Sequence, residues 1–363
     1  MRKNSFEFTL FISVIILSIF GVIMIYSASS IWAEYKFNDQ YRFLKYQGIF
    51  FIIGVILMYI VSKIDYKKYY KYSNKILITG IILLILVLIP GVGTVRNGSR
   101  SWFGIGPFGI QPSEAMKLAL IIFTSKYLSN NPNSMKDIKK GVLPILILTL
   151  SIFGLIMLQP DFGTGTILVM TIIGLLFVAG LNVKIFLKLG VLGLAAVVGL
   201  VIIAPYRLKR ILSFLDPWGD PLGSGFQIIQ SMYSIGPGGL FGLGFGNSIQ
   251  KHFYLPEPQT DFIFSIISEE FGFLGIIIIS MLFITIFYNS IKISIRCRDS
   301  FGKYLSFGIT FGLIFQTVLN LSVVIGLVPV TGVTLPFLSY GGSSLIITMV
   351  SIGVILNISR YNS

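Results

Sequence analysis

The sequence predicts an all-α polytopic membrane protein with ten transmembrane helices. Hydrophobic residues make up 54% of its 363 residues and charged residues only 12%, and the mean hydropathy is +0.86. A soluble domain carries about 25% charged residues, so this composition indicates a lipid environment. No segment alternates apolar and polar residues as the strands of a membrane barrel do, and a helical bundle therefore satisfies the backbone in lipid.

Ten apolar stretches are long enough to cross a hydrocarbon core of about 30 Å, which takes about 20 helical residues. The first stretch is predicted to be a retained anchor rather than a signal peptide, because it lacks a small-residue cleavage site and can span the membrane. The stretches lie approximately at residues 8–28, 46–63, 74–90, 113–129, 142–158, 163–181, 184–204, 261–290, 302–328 and 341–359.

The basic residues predict that the N- and C-termini are both cytoplasmic. With the N-terminus inside, most of the 28 lysine and arginine residues fall in the inner segments, in agreement with the positive-inside rule. The net charge of +14 then needs no nucleic-acid partner. The single cysteine, Cys297, and the single histidine, His252, predict neither a disulfide framework nor a cysteine or histidine metal site.

One long loop, about residues 205–260 between the seventh and eighth stretches, is predicted to be extracellular. A loop of this length in a compact protein is usually functional. It contains a turn-rich DPWGDPLGSG segment, a possible short amphipathic helix at the membrane surface, FQIIQSMYSI, and the run GPGGLFGLGFG. The glycine run is either a flexible hinge or backbone that closely approaches a phosphate-bearing ligand.

Ionisable residues also mark two smaller outer turns. In QPSEAMK, Pro112 suits the first turn of a helix, and Glu114 would face the positive end of the helix dipole. Lys117 follows Glu114 by three residues and can pair with it. The pair is either a simple intrahelical ion pair or part of a functional site, since ionisable residues in spans are commonly functional. Asp161, in QPDFGTG, is predicted to cap a helix.

The last outer segment, PFLSYGGSS, precedes the final stretch. Pro336 and the adjacent Gly341 and Gly342 would interrupt a helix there. Irregular backbone at membrane depth is tolerated where it lines a cavity or is buried in protein. The segment is therefore either part of a cavity wall or the start of the final helix.

Four of the 14 acidic residues are concentrated in the short stretch LPEPQTDFIFSIISEEFGF. If the eighth span begins at residue 261, Asp261 shares one helix face with Ser265, Ser268 and Gly272. Such a polar stripe faces a bundle interior or a water-filled cavity, so we expect Asp261 to line a cavity that opens outward. Three further carboxylates are expected to have supporting roles: Glu257 would shape the loop or the substrate site, and Glu269 and Glu270 would make buried polar contacts.

The chemistry that suits such a cavity is the transfer of a sugar from a lipid diphosphate. No GxxxxGK[ST] phosphate loop is present, and nucleotides are not available outside the cell, so the substrate itself must supply the energy. Diphosphate is a good leaving group, and one carboxylate, Asp261, suffices as general base. Cations would neutralise the diphosphate. Those predicted on the outer side are Arg100, Lys117, Arg207, Lys209, Arg210 and Lys251.

Five motifs in order resemble the SEDS family (shape, elongation, division and sporulation) over nearly the whole chain. They are RSWFGIGPFGIQPSEAMKLAL, QPDFGTGT, DPWGDPLGSGFQIIQSMYSIGPGGLFGLGFG, FYLPEPQTDFIFSIISEEFGFLG and GLVPVTGVTLPFLSYGGSS. DPWGDPLGSG and YLPEPQTDFIF resemble the FtsW branch more than the RodA branch. Phe226 stands where family members often have tyrosine, which leaves the assigned roles intact.

The resemblance implies a single membrane domain, residues 1–363, that polymerises lipid II into peptidoglycan strands and releases undecaprenyl diphosphate. It implies that Asp261 is the essential residue. We also expect Glu114 and Glu257 to join the cations above in the substrate site. A divalent cation, Mg²⁺ or Mn²⁺, is associated with this chemistry, and Asp261 could be its ligand. The implied partners are a class B penicillin-binding protein and other division or sporulation proteins, in the bacterial cytoplasmic membrane at the septum or forespore.

Two other functions remain open from the sequence. A transporter that moves a lipid-linked precursor across the membrane would explain polar groups in the spans, although the chain shows no internal repeat of the kind many transporters have. A scaffold that recruits division or sporulation enzymes would tolerate Asp261→Asn, whereas a glycosyltransferase with Asp261 as base would not.

Overall fold

The computed structural model describes residues 5–361 apart from positions 97, 105, 107, 133, 134, 136 and 204, and its architecture is a helical bundle. Twelve α-helices are described in this part of the chain. They are α1 (Ser5–Phe37), α2 (Arg42–Val61), α3 (Lys67–Leu86), α4 (Pro112–Asn130), α5 (Leu143–Met157), α6 (Phe162–Val178), α7 (Val183–Ile203), α8 (Pro205–Leu215), α9 (Phe226–Ile235), α10 (Ile263–Arg296), α11 (Ser300–Val324) and α12 (Gly342–Tyr361).

The ten apolar stretches of the sequence each fall on one of the long helices, and α8 and α9 lie within the large loop. Six segments of the described chain are long and apolar enough to cross a membrane: α1, α2, residues 138–157 including α5, α10, α11 and α12. Helix α6 is apolar but has only 17 residues. The membrane-protein class is thus supported by the helices, while ten crossings, the cytoplasmic termini and the extracellular loop stay predictions.

Helices α11 and α12 form the centre of the bundle. Helix α12 packs chiefly against α2, and α11 packs against α4, α6 and α10, while α1 joins α2 to α10. Every residue from Ser351 to Ser359 on α12 is buried. Small residues permit these close approaches: a Cβ on Gly308 of α11 would lie 2.7 Å from a methyl group of Ile121, and one on Gly353 of α12 would lie 2.7 Å from the Met58 carbonyl oxygen. Such small-residue contacts are a usual means of packing helices in lipid.

The predicted outer ends of the helices are joined by structured segments rather than by plain linkers. A short antiparallel hairpin, β1 (Thr94–Arg96) and β2 (Ser99–Trp102), precedes α4. Pro112 is the first residue of α4, as predicted. The sequence FQIIQSMYSI forms α9, whose buried face packs on α10 and α11, and Ser231 of α9 donates a hydrogen bond to the Val324 carbonyl oxygen at 2.7 Å.

The segment before α12 is irregular and buried, and side chains satisfy its backbone. Residues 335–339 are all buried although they form no helix. The Leu335 amide donates to the Ser339 hydroxyl at 2.7 Å, and Gln47 of α2 donates to the Ser339 carbonyl oxygen and accepts from the Gly341 amide, both at 3.3 Å. Irregular backbone at membrane depth is stable under these conditions.

Candidate active site

Asp261 lies in the loop immediately before α10, where it is half-buried. The Thr260 hydroxyl lies 2.8 Å from Asp261 Oδ1 and 2.7 Å from the Glu257 carbonyl oxygen, either of which can accept its proton. Asn320 Nδ2 of α11 donates to the Asp261 carbonyl oxygen at 2.8 Å. The carboxylate is therefore held by its own turn at the N-terminal end of α10, and a neighbouring helix holds the backbone of that turn.

The expectation that Asp261 belongs to one helix face with Ser265, Ser268 and Gly272 is wrong. Helix α10 begins at Ile263, and Gly272 interrupts it with φ 60° and ψ −158°, so one uniform rotation of 100° per residue does not relate these residues. Ser265 and Ser268 are buried and bond within the protein, Ser265 to the Ser231 hydroxyl at 2.8 Å and Ser268 to its own helix.

Burial raises the pKa of the Asp261 carboxyl above its ordinary value. The hydrogen bond from Thr260 and the positive charge of Arg210 act in the opposite direction, while the negative charge of Glu257 adds to the increase. Removal from water disfavours the charged form of an acid, and it makes the carboxylate a stronger base once it is ionised. The environment thus prepares Asp261 to accept a proton.

Two amide side chains of α11, which no sequence motif indicated, organise the backbone around Asp261. Asn320 Nδ2 also donates to the Val333 carbonyl oxygen at 2.7 Å. One turn earlier, Gln316 Nε2 donates to the Thr334 carbonyl oxygen at 2.9 Å. Their spacing is the sequence signal that could have identified them. The two amides lie four residues apart in the apolar run QTVLN, and residues at this spacing lie on the same side of a helix.

Glu114 and Lys117 form an ion pair, with 3.0 Å between Lys117 Nζ and Glu114 Oε1. The pair is more than intrahelical, because Lys117 Nζ also donates to Gln316 Oε1 of α11 at 2.9 Å. Both residues line a cavity of about 40 Å³ among α4, α6, α11 and α12, together with Thr171 and Ser351. Through Gln316 the pair is linked to the irregular segment beside Asp261.

Asp161 caps α6, as predicted. Its Oδ1 accepts a hydrogen bond from the Thr164 amide at 3.2 Å, and its Oδ2 accepts from Gln111 Nε2 at 2.8 Å and from the Ser113 hydroxyl at 3.4 Å. Burial raises the pKa of Asp161. The residue therefore joins the beginnings of α4 and α6.

The structure brings only some of the predicted cations towards Asp261. Arg210, on α8, is close enough for its charge to act on the carboxyl, and its Nη1 donates to the Val330 carbonyl oxygen at 3.3 Å. Lys209 is exposed on the same helix. Arg207 also belongs to α8, but its side chain is outside the described part. Arg100, on β2, has Nη1 3.5 Å from the Leu88 carbonyl oxygen.

Lys251 and Glu257 serve the protein's own structure. Lys251 is buried, and its ammonium lies 3.3 Å from Glu270 Oε1. These contacts do not support its predicted role in substrate binding. Glu257 has φ 45°, and its carbonyl oxygen accepts from the Thr260 amide at 3.1 Å. Glu257 thus shapes the turn that presents Asp261, and contact between its carboxylate and substrate stays a prediction.

The carboxylates Glu269 and Glu270 are almost completely enclosed, and the expectation that they make buried polar contacts is confirmed. The glycine run approaches protein backbone. Gly242 and Gly244 lie against α10, where the Gly244 amide donates to the Glu270 carbonyl oxygen at 3.0 Å. The two interpretations of the glycine run from sequence were a flexible hinge and backbone that approaches a phosphate-bearing ligand. Neither of them predicts this contact with α10.

A divalent cation at Asp261 would depend on ligands from outside the chain. Among the described residues there is no group of three or more His, Cys, Asp or Glu side chains that could hold a metal ion. Mg²⁺ commonly keeps several waters and uses one or two carboxylates together with substrate phosphates. Asp261 and phosphate oxygens fit that donor set, so the residues present are compatible with Mg²⁺.

Comparison with known sequences gives relatives over the full chain. Residues 8–363 match the family of cell cycle proteins that comprises FtsW, RodA and SpoVE. The chain is 52% identical over 361 residues to stage V sporulation protein E of Bacillus subtilis (strain 168), covering 99% of both sequences. It is 40% identical over 358 residues to a probable peptidoglycan glycosyltransferase FtsW of Geobacter sp. (strain M18), covering 99% of this chain and 98% of the relative.

Solved structures share the fold. A chain from the work described as "Structural coordination of polymerization and crosslinking by a peptidoglycan synthase complex" superimposes with a TM-score of 0.79 at 32% identity, over 97% of each chain. The rod shape determining protein RodA of Thermus thermophilus gives a TM-score of 0.73 at 28% identity, over 99% of this chain and 98% of RodA. The chain therefore belongs to the SEDS family of cell cycle proteins, which comprises FtsW, RodA and SpoVE.

Proposed function

We propose that this protein is a peptidoglycan glycosyltransferase that polymerises lipid II at the outer face of the bacterial cytoplasmic membrane, in cell division or sporulation. The observation that carries the proposal is the half-buried Asp261 carboxylate at the outer end of α10, held by Thr260 and Asn320. Similarity to a probable peptidoglycan glycosyltransferase FtsW supports the reaction type. Similarity to stage V sporulation protein E supports a role in sporulation.

In the proposed reaction Asp261 removes the proton from the attacking sugar hydroxyl. The oxygen forms the new glycosidic bond as the bond between the donor sugar and its diphosphate breaks, and undecaprenyl diphosphate leaves with the bonding electrons. No second carboxylic acid has to protonate this leaving group, in contrast to most glycoside hydrolysis. Arg210 supplies positive charge close to Asp261 as negative charge develops on the diphosphate.

A divalent cation, when bound by Asp261 and substrate phosphate, would supply further stabilisation of the leaving diphosphate. The chain's own residues perform the remaining tasks. Thr260 orients the carboxylate, and Asn320 fixes the backbone of Asp261.

We further propose a class B penicillin-binding protein as the partner that crosslinks the new strands. The support is the similarity to a chain solved in a peptidoglycan synthase complex that coordinates polymerization and crosslinking. Other division or sporulation proteins would bring this pair to the septum or forespore membrane.

The test is a polymerisation assay with purified wild-type protein and Asp261→Ala. Both receive lipid II and Mg²⁺, with and without the candidate penicillin-binding protein, and glycan strands are resolved by gel electrophoresis. We expect strands from the wild type only, because the variant lacks the base. Equal strand formation by the folded variant would contradict the role of Asp261.

Lipid II transport is the competing function, and the same preparation distinguishes it. Translocation of lipid II in vesicles by a wild type that forms no strands would favour transport, and tolerance of Asp261→Asn in a strand-forming cell would favour a scaffold.

A further inference from the structure

The large outer loop folds back onto α10 through a segment that ends ten positions before Asp261. We call residues 238–251 the re-entrant segment. Its backbone pairs with α10 on both sides of Gly272: the Leu243 amide donates to the Glu269 carbonyl oxygen at 2.9 Å, and the Phe273 amide donates to the Gly239 carbonyl oxygen at 2.9 Å. The kink at Gly272 releases these groups from the helical ladder, so they require other partners, which the segment provides.

Glu269 binds the end of this segment through three hydrogen bonds. Its Oε2 accepts from the Ser248 hydroxyl at 2.5 Å and from the Gln250 amide at 3.3 Å, and its Oε1 accepts from the Ile249 amide at 2.9 Å. The carboxylate is completely buried. Hydrogen bonds to a buried charged group are stronger than neutral ones, so Glu269 fixes Ser248–Gln250 firmly to α10.

Glu270 anchors the same segment to α1 as well. Its Oε1 accepts from the Ser27 hydroxyl of α1 at 2.5 Å and lies 3.3 Å from Lys251 Nζ. Lys251 also donates to the Gly246 carbonyl oxygen. Truncating one partner of such a buried pair leaves an uncompensated charge and is strongly destabilising. Glu269, which has no ion-pair partner among the described residues, is therefore the better residue to substitute.

A short packed stretch connects this anchor to Asp261. The Leu255 amide donates to the Gln250 carbonyl oxygen at 2.9 Å, and the Leu255 side chain is buried. Four residues later the Gln259 carbonyl oxygen accepts from the Tyr340 amide at 2.8 Å. The chain that leads from the re-entrant segment to the Asp261 turn is thus held by Gln250 at Leu255 and by Tyr340 at Gln259, and α10 begins directly after the turn.

We propose that Glu269 is a positioning residue for Asp261, an inference that rests on the proposed glycosyltransferase function. By holding Ser248–Gln250 on α10, Glu269 sets the position of the turn that presents the catalytic carboxylate. Glu269 does not touch substrate in this arrangement, because its side chain is enclosed by the protein. Its loss should therefore affect the chemical step rather than substrate binding.

The test compares Glu269→Gln with Ser248→Ala and with the control Asp220→Asn. The glutamine has one acceptor oxygen fewer, and the NH2 group that replaces it cannot accept from a backbone amide or a hydroxyl. Ser248→Ala removes only one of the three hydrogen bonds. Asp220 is an exposed carboxylate of the same loop whose side chain bonds to Ser224 in its own turn, so the control makes the same charge change away from α10.

We expect kcat for strand synthesis to fall roughly ten- to a hundred-fold in Glu269→Gln, since a misplacement of about 1 Å can have that effect. KM for lipid II should stay at the wild-type value. Hydrogen–deuterium exchange should show faster exchange of the amides of residues 248–250. Ser248→Ala should also lower kcat and speed the exchange of these amides, but both effects should be smaller. Asp220→Asn should behave as wild type.

Wild-type kcat in Glu269→Gln despite faster exchange would overturn the inference, and so would a rise of KM with kcat unchanged. If Glu269→Gln does not yield folded protein, Ser248→Ala decides in the same way: faster exchange with wild-type kcat overturns the inference. These results concern only the variants. As long as the wild type polymerises lipid II, they reject the role of Glu269 and leave the proposed function standing. Absence of strands from the wild type itself would reject the proposed function and, with it, this role of Glu269.

Discussion

Asp261 derives its chemical character from the backbone and side chains around it. Burial raises the pKa of Asp261, while Thr260 and Arg210 favour the ionised form. These opposing influences leave a carboxylate that is a stronger base than one in water and that still has a positive charge nearby. This is what an enzyme needs when the leaving group requires no acid and the nucleophile requires a base.

The proposed role of Asp261 as general base predicts how the reaction depends on pH. A general base acts in its ionised form, so with Asp261 in this role kcat should fall as the pH decreases through a value above the ordinary aspartate pKa of about 3.9. Arg210 lowers this pKa, and Arg210→Gln should therefore shift the acidic limb of the kcat profile to higher pH. Initial rates of strand synthesis against pH for both proteins test this. A limb at the same pH in both would show that Arg210 does not act on the titrating group.

The residues that could be predicted from sequence are those whose interactions are local. The Glu114–Lys117 pair depends on a spacing of three, and the cap by Asp161 depends on a bond to Thr164. The contacts of Lys251 and Asn320 could not be predicted from local spacing. Their partners become neighbours only after α10 kinks and the loop before α12 folds against α11.

Among the elements, the glycine run and the kink of α10 form one structural unit. Gly242 has φ 82°, and a Cβ there would lie 2.1 Å from the Glu270 carbonyl oxygen. Gly272 faces it, with a Cβ position 2.4 Å from the Gly242 amide nitrogen. The sequence showed that glycine was concentrated here, but glycine richness alone does not reveal what approaches the backbone. The kink within an apolar helix was not predicted either, since a single glycine is tolerated in a helix at a modest cost.

Replacement of Gly242 should therefore dislodge the re-entrant segment. Gly246 is a matched control, because it has the same φ of 82° and no atom within 4 Å of the Cβ position. Alanine with positive φ costs about 1–2 kcal/mol at either position, and only Gly242→Ala adds a collision with α10. We expect a lower thermal unfolding temperature in detergent for Gly242→Ala than for Gly246→Ala, with faster amide exchange at residues 239–244. Equal unfolding temperatures would show that the close approach contributes little.

On the scale of the whole molecule, three segments distant in sequence meet around Asp261. They are the turn that precedes α10, the α11 residues Asn320 and Gln316, and the buried irregular segment before α12. Composition predicted the membrane class because lipid requires apolar helices. Helices α3, α4, α6 and α7 are not among the six segments of the described chain that meet both the length and the composition criteria, so their crossings stay predictions.

The side of the membrane on which the large loop lies can be tested with single cysteines. The chain has one cysteine, Cys297, which is buried and can be replaced by serine. In that background Leu222→Cys, at a site 89% exposed in the large loop, and Lys139→Cys, at an exposed site before α5, are separated by α5, α6 and α7. Three crossings place the two sites on opposite sides of the membrane.

We expect a membrane-impermeant maleimide to label Leu222→Cys in intact cells whose outer layers admit the reagent, and to label Lys139→Cys only after permeabilisation. Labelling of both in intact cells would mean that one of the three helices does not cross. The Asp261 turn would then still follow the large loop, but the side assigned to Lys139 would change. Protection of Leu222→Cys in intact cells would instead place the loop and Asp261 in the cytoplasm, where polymerisation of an exported lipid precursor could not occur.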